Sequence, residues 1–160
     1  MEYIEFFKKL SDGNIKYLIC GGLAANIYGI PRMTADIDLL LDFEKENITD
    51  FEKIISSFDY KPVLPIALNT LIDKAKRIKL KKEKNLIAFS YYNVKKNLMS
   101  IDVLIEPPIS FSKMWKERVE RKTGNTKINL ISVEHLIEMK KYSDRIQDRQ
   151  DIIQLTKFKR

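Results

Sequence analysis

The chain has 160 residues, 44% hydrophobic and 10% aromatic, which suits one ordinary folded domain and excludes a disordered chain. Its 29 Lys+Arg against 22 Asp+Glu give a net charge of +7, implying anionic partners without choosing among them. A single cysteine, Cys20, excludes a disulfide framework, and neither a signal-peptide start nor an apolar run near the ~20 residues of a membrane span is present, so a cytoplasmic protein without membrane contact is expected.

In chain order, residues 2–10 read as a short helix with Ile4, Phe7 and Leu10 on one face, ended by Ser11-Asp12-Gly13-Asn14. Residues 15–20 form an apolar strand running into Gly21-Gly22, and residues 23–28 a second short helix stopped by Gly29 and Pro31. A second strand covers Asp36–Leu41. Residues 44–58 place Ile48, Phe51, Ile55 and Phe58 at helical spacing behind an acidic first turn, which suits the helix dipole. The middle is less patterned. Residues 65–75 have a helical option, and Lys74–Lys84 holds seven Lys/Arg and one Glu, the composition of a solvated face or mobile loop, or of a contact to a phosphate backbone. Residues 86–91 and 100–106 read as strands joined through 93–97, with Pro107-Pro108 ending the second. Residues 111–116 make one helical turn, and residues 118–122 and 127–131 flank Thr123-Gly124-Asn125-Thr126 as a hairpin. Ser132 caps a helix reaching Tyr142, and residues 148–157 form the last one. Strands and helices interleave throughout. The expected class is α/β (α+β), a mixed sheet with helices packed on it, as a single domain over 1–160 in which 132–160 is a C-terminal helix pair.

The charge is unevenly spread. Residues 1–59 hold 6 Lys+Arg against 11 Asp+Glu, and the remaining residues hold 23 against 11. The acidic half contains the most informative pattern: a strand, Gly21-Gly22, a helix, and a strand bearing Asp36-Ile37-Asp38. Glycine at a strand-to-helix turn permits positive φ and close ligand approach, and free N–H groups at a helix start favour phosphate. Asp36 and Asp38, two apart in a strand, project from one face while Ile37 and Leu39 point the other way. Like charges on a half-buried face are costly without a cation between them. Asp102 interrupts the apolar stretch Ser100-Ile-Asp-Val-Leu-Ile105; if its strand neighbours Asp36–Leu41, the three acids form a cluster able to hold two divalent ions. Magnesium suits carboxylates and substrate phosphates, and two such ions polarise a phosphoryl group and activate a hydroxyl. Taken singly, a Gly-Gly is an ordinary turn and an Asp-x-Asp an ordinary solvated strand end; their order along the chain argues otherwise.

These residues resemble the nucleotidyltransferase superfamily, whose fold is like the DNA polymerase β palm: Gly21-Gly22, thirteen residues, then Asp36-Ile37-Asp38. Arg32, Thr34 and Asp36-Ile-Asp-Leu look most like the abortive-infection (AbiEii-type) branch of bacterial toxin–antitoxin systems, and residues 132–155 resemble that branch's closing helix pair. The matches span residues 15–155, with almost nothing from 60–98. The resemblance implies that Gly21, Gly22, Arg32 and Thr34 bind the nucleotide, the glycines cradling its triphosphate. It implies Asp36 and Asp38 as metal-binding catalytic residues, with Asp102 completing the metal site and orienting the acceptor. Lys140 would contact phosphate and Asp148 would support the site. Here Gly22 replaces a common Ser, Gln147 stands where a basic residue is frequent, and the chain is shorter than many abortive-infection toxins.

Helical spacing bears independently on these positions. Val133, Leu136, Ile137 and Lys140 share one stripe, as do Asp148, Asp151, Ile152 and Leu155, so their charges face inward and need partners. A snorkelling Lys140 and a structural Arg145–Asp148 pair are the plainer alternative. Tyr91-Tyr92 suits either strand packing or base stacking, Trp115 a core or interface, and Cys20 a small buried hydrophobe. His135, the only histidine, excludes a histidine-based nucleophilic triad or multi-histidine metal site.

The expectation is an Mg2+-dependent transferase moving an NMP from an NTP to a hydroxyl acceptor, with release of pyrophosphate. The acceptor would be RNA or another nucleic acid, a protein, or a small molecule such as an antibiotic, and a cognate toxin or antitoxin partner is implied by the resemblance. The alternative is a non-catalytic antitoxin or nucleotide-binding module on the same fold.

Overall fold

The computed structural model describes residues 2–158. Seven strands form one mixed sheet in the order β3-β4-β5-β2-β1-β7-β6. The central strands are β1 (Tyr17–Ile19), β2 (Asp36–Leu41) and β5 (Ser100–Leu104). β2 runs antiparallel to β1 and parallel to β5, so the Asp-x-Asp strand lies inside the sheet with a partner on each side. β3 (Tyr60–Pro62) and β4 (Ala88–Asn93) continue antiparallel beyond β5. On the other flank β7 (Thr126–Leu130) pairs parallel with β1 and carries β6 (Val119–Thr123) as the expected hairpin.

Strand alternation separates the two faces. Ile37, Leu39, Ile101, Val103, Phe89 and Tyr91 are buried on one side, where α1 (Glu2–Asp12) and α3 (Lys45–Ser57) add Phe6, Phe7, Leu10, Ile48, Phe51 and Ile55 to the core. Aromatic edges lock this layer: Phe51 meets Tyr91 at 6.2 Å between centroids, and Phe6 meets Phe58 at 5.5 Å. The intervening residues Asp36, Asp38 and Asp102 are only partly buried and project from the opposite face. The short α2 (Gly21–Ile27) follows β1 directly.

Two stretches of the weakly patterned middle differ from expectation. The helical option over 65–75 is a 3-10 turn at Leu68–Leu71, and Lys74–Lys84 is a helix in full, α4. Asp73 starts α4 by accepting hydrogen bonds from Ala75 N at 2.8 Å and Lys76 N at 3.4 Å, and Asn85 ends it in the left-handed conformation. The basic run also has an inside: Arg77 is buried, donates to the Leu71 and Ile72 carbonyls, pairs with Glu106 at 3.1 Å and lies over the Phe43 ring. A strand of three residues ending in a proline, β3 leaves too little periodicity to be read in advance.

α5 (Phe111–Lys116) is the expected turn, with Trp115 stacked on Phe111 and beneath the Arg118 guanidinium. α6 (Val133–Ser143) starts on Ser132, whose hydroxyl accepts from His135 N, and α7 (Ile146–Phe158) packs against it. His135 is buried with Nε2 3.4 Å from Glu117. Cys20 is fully buried, and no described helix is long and apolar enough to cross a membrane.

Candidate active site

The site begins where β1 ends. Gly21 adopts φ +60°, and a Cβ there would lie 1.8 Å from Asp38 Oδ2, so only glycine permits this turn against that carboxylate. At Gly22 a Cβ would meet Thr34 Oγ1 at 2.6 Å. The Gly22 N–H is hydrogen-bonded to Asp38, so the glycine turn and the Asp-x-Asp strand are in direct contact.

The parallel register sets Asp38 beside Asp102 and Asp36 beside Ser100. One carboxylate oxygen from each of Asp36, Asp38 and Asp102 lies within 4.8 Å of the others. The Thr34 hydroxyl is within reach of the Asp36 carbonyl at 3.1 Å and its carboxylate at 3.3 Å, fixing the start of the strand. Burial, then the neighbouring charges of Asp36 and Asp102, push the Asp38 carboxyl up to about 6, against the opposing Gly22 hydrogen bond and the more distant Arg145 charge. A cluster that raises its own member's pKa in this way is short of positive charge. Three hard oxygen donors at this separation, part-buried and without a basic side chain among them, are a set that could hold a metal ion.

A second charged group lies on the helix pair. Lys140 is buried, with Nζ 2.7 Å from Asp151 and 3.2 Å from Asp148. Asp148 also accepts from Ser143 Oγ at 2.6 Å and Arg145 Nε at 3.0 Å, and Asp151 from Gln147 at 3.2 Å and from Arg32. Burial alone would raise the Asp148 carboxyl, yet the hydrogen bonds from Ser143, Arg145 and Lys140 outweigh it and hold it down at about 2. The Asp151 carboxyl is likewise held low despite burial. Through Arg32, the loop between α2 and β2 is tied to α7. Arg145 is different: its side chain is 74% exposed, and besides Asp148 it lies in the field of Asp38 and Asp36.

The structure therefore brings Gly21, Gly22, Thr34, Asp36, Asp38 and Asp102 together at one end of the sheet, and Arg32, Lys140 and Asp148 into the adjoining ion-pair network. Ser143 and Gln147 complete that network and were not among the sequence candidates. Ser143 has no signal beyond a position near the turn between two helices, which many solvent-exposed residues share; Gln147 stands where the resembled family frequently has a basic residue, yet it serves here as a hydrogen-bond donor to Asp151. Two cavities lie elsewhere, one of about 580 Å3 against α7 near Gly29 and one of about 200 Å3 behind Ile37.

No family model matches the sequence, and no curated protein matches it. Solved structures match its fold over nearly the whole chain. A candidate nucleotidyltransferase from Thermotoga maritima superposes with a TM-score of 0.56 at 14% identity, covering 98% of this chain and 93% of its own. ANT(2″)-Ia, in complex with adenylyl-2″-tobramycin, gives 0.59 at 14% identity, covering 97% and 88%. An antigenic nucleotidyltransferase-like protein from Paracoccidioides brasiliensis gives 0.54 at 18% identity, covering 95% and 72%. The chain has the nucleotidyltransferase fold.

Proposed function

We propose that this chain is an Mg2+-dependent nucleotidyltransferase that transfers an NMP from an NTP to a hydroxyl acceptor and releases pyrophosphate. The observation that carries this reading is the convergence of Asp36, Asp38 and Asp102 within 4.8 Å beside the Gly21-Gly22 turn, on a fold shared with nucleotidyltransferases. Asp36 and Asp38 would hold one or two Mg2+ ions together with Asp102, and bound ions would supply charge neutralisation for the phosphates. The chain's own residues then have separate tasks. Gly21 leaves room for the Asp38 carboxylate to lie against the turn, and Thr34 keeps the Asp36 carboxylate aimed into the cluster. Asp102, on β5 opposite Ser90 of β4, would receive the acceptor's proton. Arg145 offers an exposed guanidinium within the field of Asp36 and Asp38, suited to phosphate oxygens. Lys140 and Asp148 would position Arg145 and the Arg32 loop, with Lys140 reaching phosphate only by leaving its two carboxylates.

The Arg32-to-Leu39 wording and the helix pair support placement near the abortive-infection branch and a cytoplasmic toxin–antitoxin role. The tobramycin adduct bound by ANT(2″)-Ia supports a small-molecule acceptor as one candidate. The test is incubation with each α-labelled NTP, Mg2+ and pools of RNA, protein and aminoglycoside. Label transfer with pyrophosphate release, lost in Asp36→Ala and Asp38→Ala variants of unchanged fold, is expected. Nucleotide binding without pyrophosphate release would overturn the enzyme reading in favour of a binding module.

A further inference from the structure

Residues 61–92 lie outside the family-like motifs, yet they flank the acid cluster. The β4–β5 register sets Ser90 opposite Asp102, on the same face. Two residues further along β4, Tyr92 occupies that face with 48% of its surface exposed, and Lys61 of β3 stands opposite it, also exposed. Tyr91 alone serves the core, so the tyrosine pair divides into one packing ring and one free ring.

At the other end of β4, residues 85–87 lead straight back to α4. Of its basic side chains, Arg77 is committed to Glu106, and Lys81 donates to the Glu106 carbonyl at 2.6 Å while its Nζ lies 5.2 Å from the Tyr142 ring centroid. That contact ties α4 to the end of α6, three residues before Arg145. Lys74, Lys76, Lys79, Lys82 and Lys84 are exposed, and none pairs with a carboxylate among the described residues. They extend over roughly 15 Å of helix. The only acidic residue in α4 is Glu83. Such a surface attracts a polyanion and repels a polycation of the aminoglycoside kind.

We infer that the α4 lysines, Lys61 and Tyr92 form a binding surface for single-stranded polynucleotide, with its end laid along β4 past Ser90 toward Asp102. The lysines meet backbone phosphates, and the free tyrosine ring offers a stacking platform to a base. A lipid surface fits less well, because α4 carries no aromatic side chain and only one exposed large aliphatic, Ile78. The orientation toward Asp102 rests on the transferase reading; the binding surface does not. On that reading the strand's terminal hydroxyl oxygen bonds to the α-phosphorus of the NTP as the α–β phosphoanhydride bond breaks. Pyrophosphate leaves with the bonding pair, and the hydroxyl proton passes to the Asp102 carboxylate.

The experiment is fluorescence anisotropy of labelled 12-nucleotide RNA and DNA single strands with the full chain at 50 and 200 mM salt. Binding is expected to weaken roughly 20-fold across that range if three phosphates are neutralised. K79E/K82E/K84E is expected to weaken it more than tenfold, and Tyr92→Ala about tenfold with a smaller change in salt dependence. Asp36→Asn should bind as the unaltered chain does, which separates this surface from the transfer site. Preference for RNA or DNA identifies which strand is the natural ligand. No binding at 50 mM salt, unchanged affinity in both variants of verified fold, or lysine-dependent binding only to phosphatidylserine vesicles would overturn the inference. Strand binding without nucleotide transfer would support it and count against the transferase reading alone.

Discussion

Asp38 and Asp148 are both aspartates withdrawn from bulk water, and they respond in opposite directions. Burial opposes ionisation of both. At Asp38 the nearest charges are two more carboxylates, and the group is pushed up to about 6; at Asp148 the neighbours are Lys140, Arg145 and Ser143, and the group is held at about 2. The helix-pair network supplies its own cations, Arg32, Lys140 and Arg145, for its two carboxylates. The strand cluster does not. A protein that balances buried charge fully at one site and leaves an adjoining site short of cation has a place for a cation from outside.

The largest effect expected from breaking this contrast is on activity. On the proposed function, Asp38→Ala should lower nucleotide transfer by about 1,000-fold or more, since it would remove a ligand from ions that would contribute several kcal/mol to the transition state. In EDTA the same variant should melt no lower than the unaltered chain, because a like charge has been relieved. A thermal-shift series in EDTA beside the transfer assay checks both. A variant that melts far lower would mean that Asp38 is structural.

Next is the network. Lys140→Met leaves Asp148 and Asp151 without their buried ammonium and should cost about 3–5 kcal/mol in urea denaturation. If transfer per folded molecule persists in that variant, Lys140 positions the site; if transfer is lost while much of the stability remains, its ammonium is needed at the phosphate.

The pH dependence separates the two aspartates again. Asp148 ionises more readily folded than unfolded, so its contribution is present above pH ~4 and falls away as pH drops through about 2. Asp38 holds its proton more tightly when folded, so its contribution is complete below pH ~4 and is lost as pH rises through about 6, by at most ~3 kcal/mol. The metal-free chain should therefore show an acid rise followed by a decline between pH 4 and 6, in denaturant midpoints taken at half-unit steps. Asp38→Asn should remove the decline and leave the rise. On the proposed metal assignment, saturating Mg2+ should reverse the decline, since the ionised cluster would bind it.

The strand cluster was legible in the sequence because its periodicity is short. Asp36 and Asp38 share a face by the two-residue repeat alone, and Asp102 betrays itself as one charge in an apolar strand. The inward direction of Lys140, Asp148 and Asp151 was legible from helical spacing in the same way. What spacing could not supply was their pairing: that Arg32, 119 residues away from Asp151 in sequence, closes the network depends on how the α2–β2 loop meets α7. The middle failed for a different reason. In α4, a strongly basic composition hides a helix whose register is set by one buried arginine and an aspartate cap, both invisible to hydrophobic periodicity.

The smallest effect expected is at Thr34, and it sharpens the contrast most finely. Thr34→Val keeps the side-chain shape beside Gly22 while removing the hydroxyl that lies within reach of both the Asp36 carbonyl and carboxylate. The loss is one partly exposed hydrogen bond, about 1 kcal/mol. If its role is only to hold the strand end, stability falls by that amount and Mg2+ dependence is unchanged. If it also orients the carboxylate for an ion, the Mg2+ concentration at half-maximal activity rises about fivefold on top of that loss. Titrating Mg2+ in the transfer assay distinguishes these outcomes. The second is expected, because an Asp36 carboxylate free to rotate would turn away from Asp38 and Asp102 unless a cation draws it back.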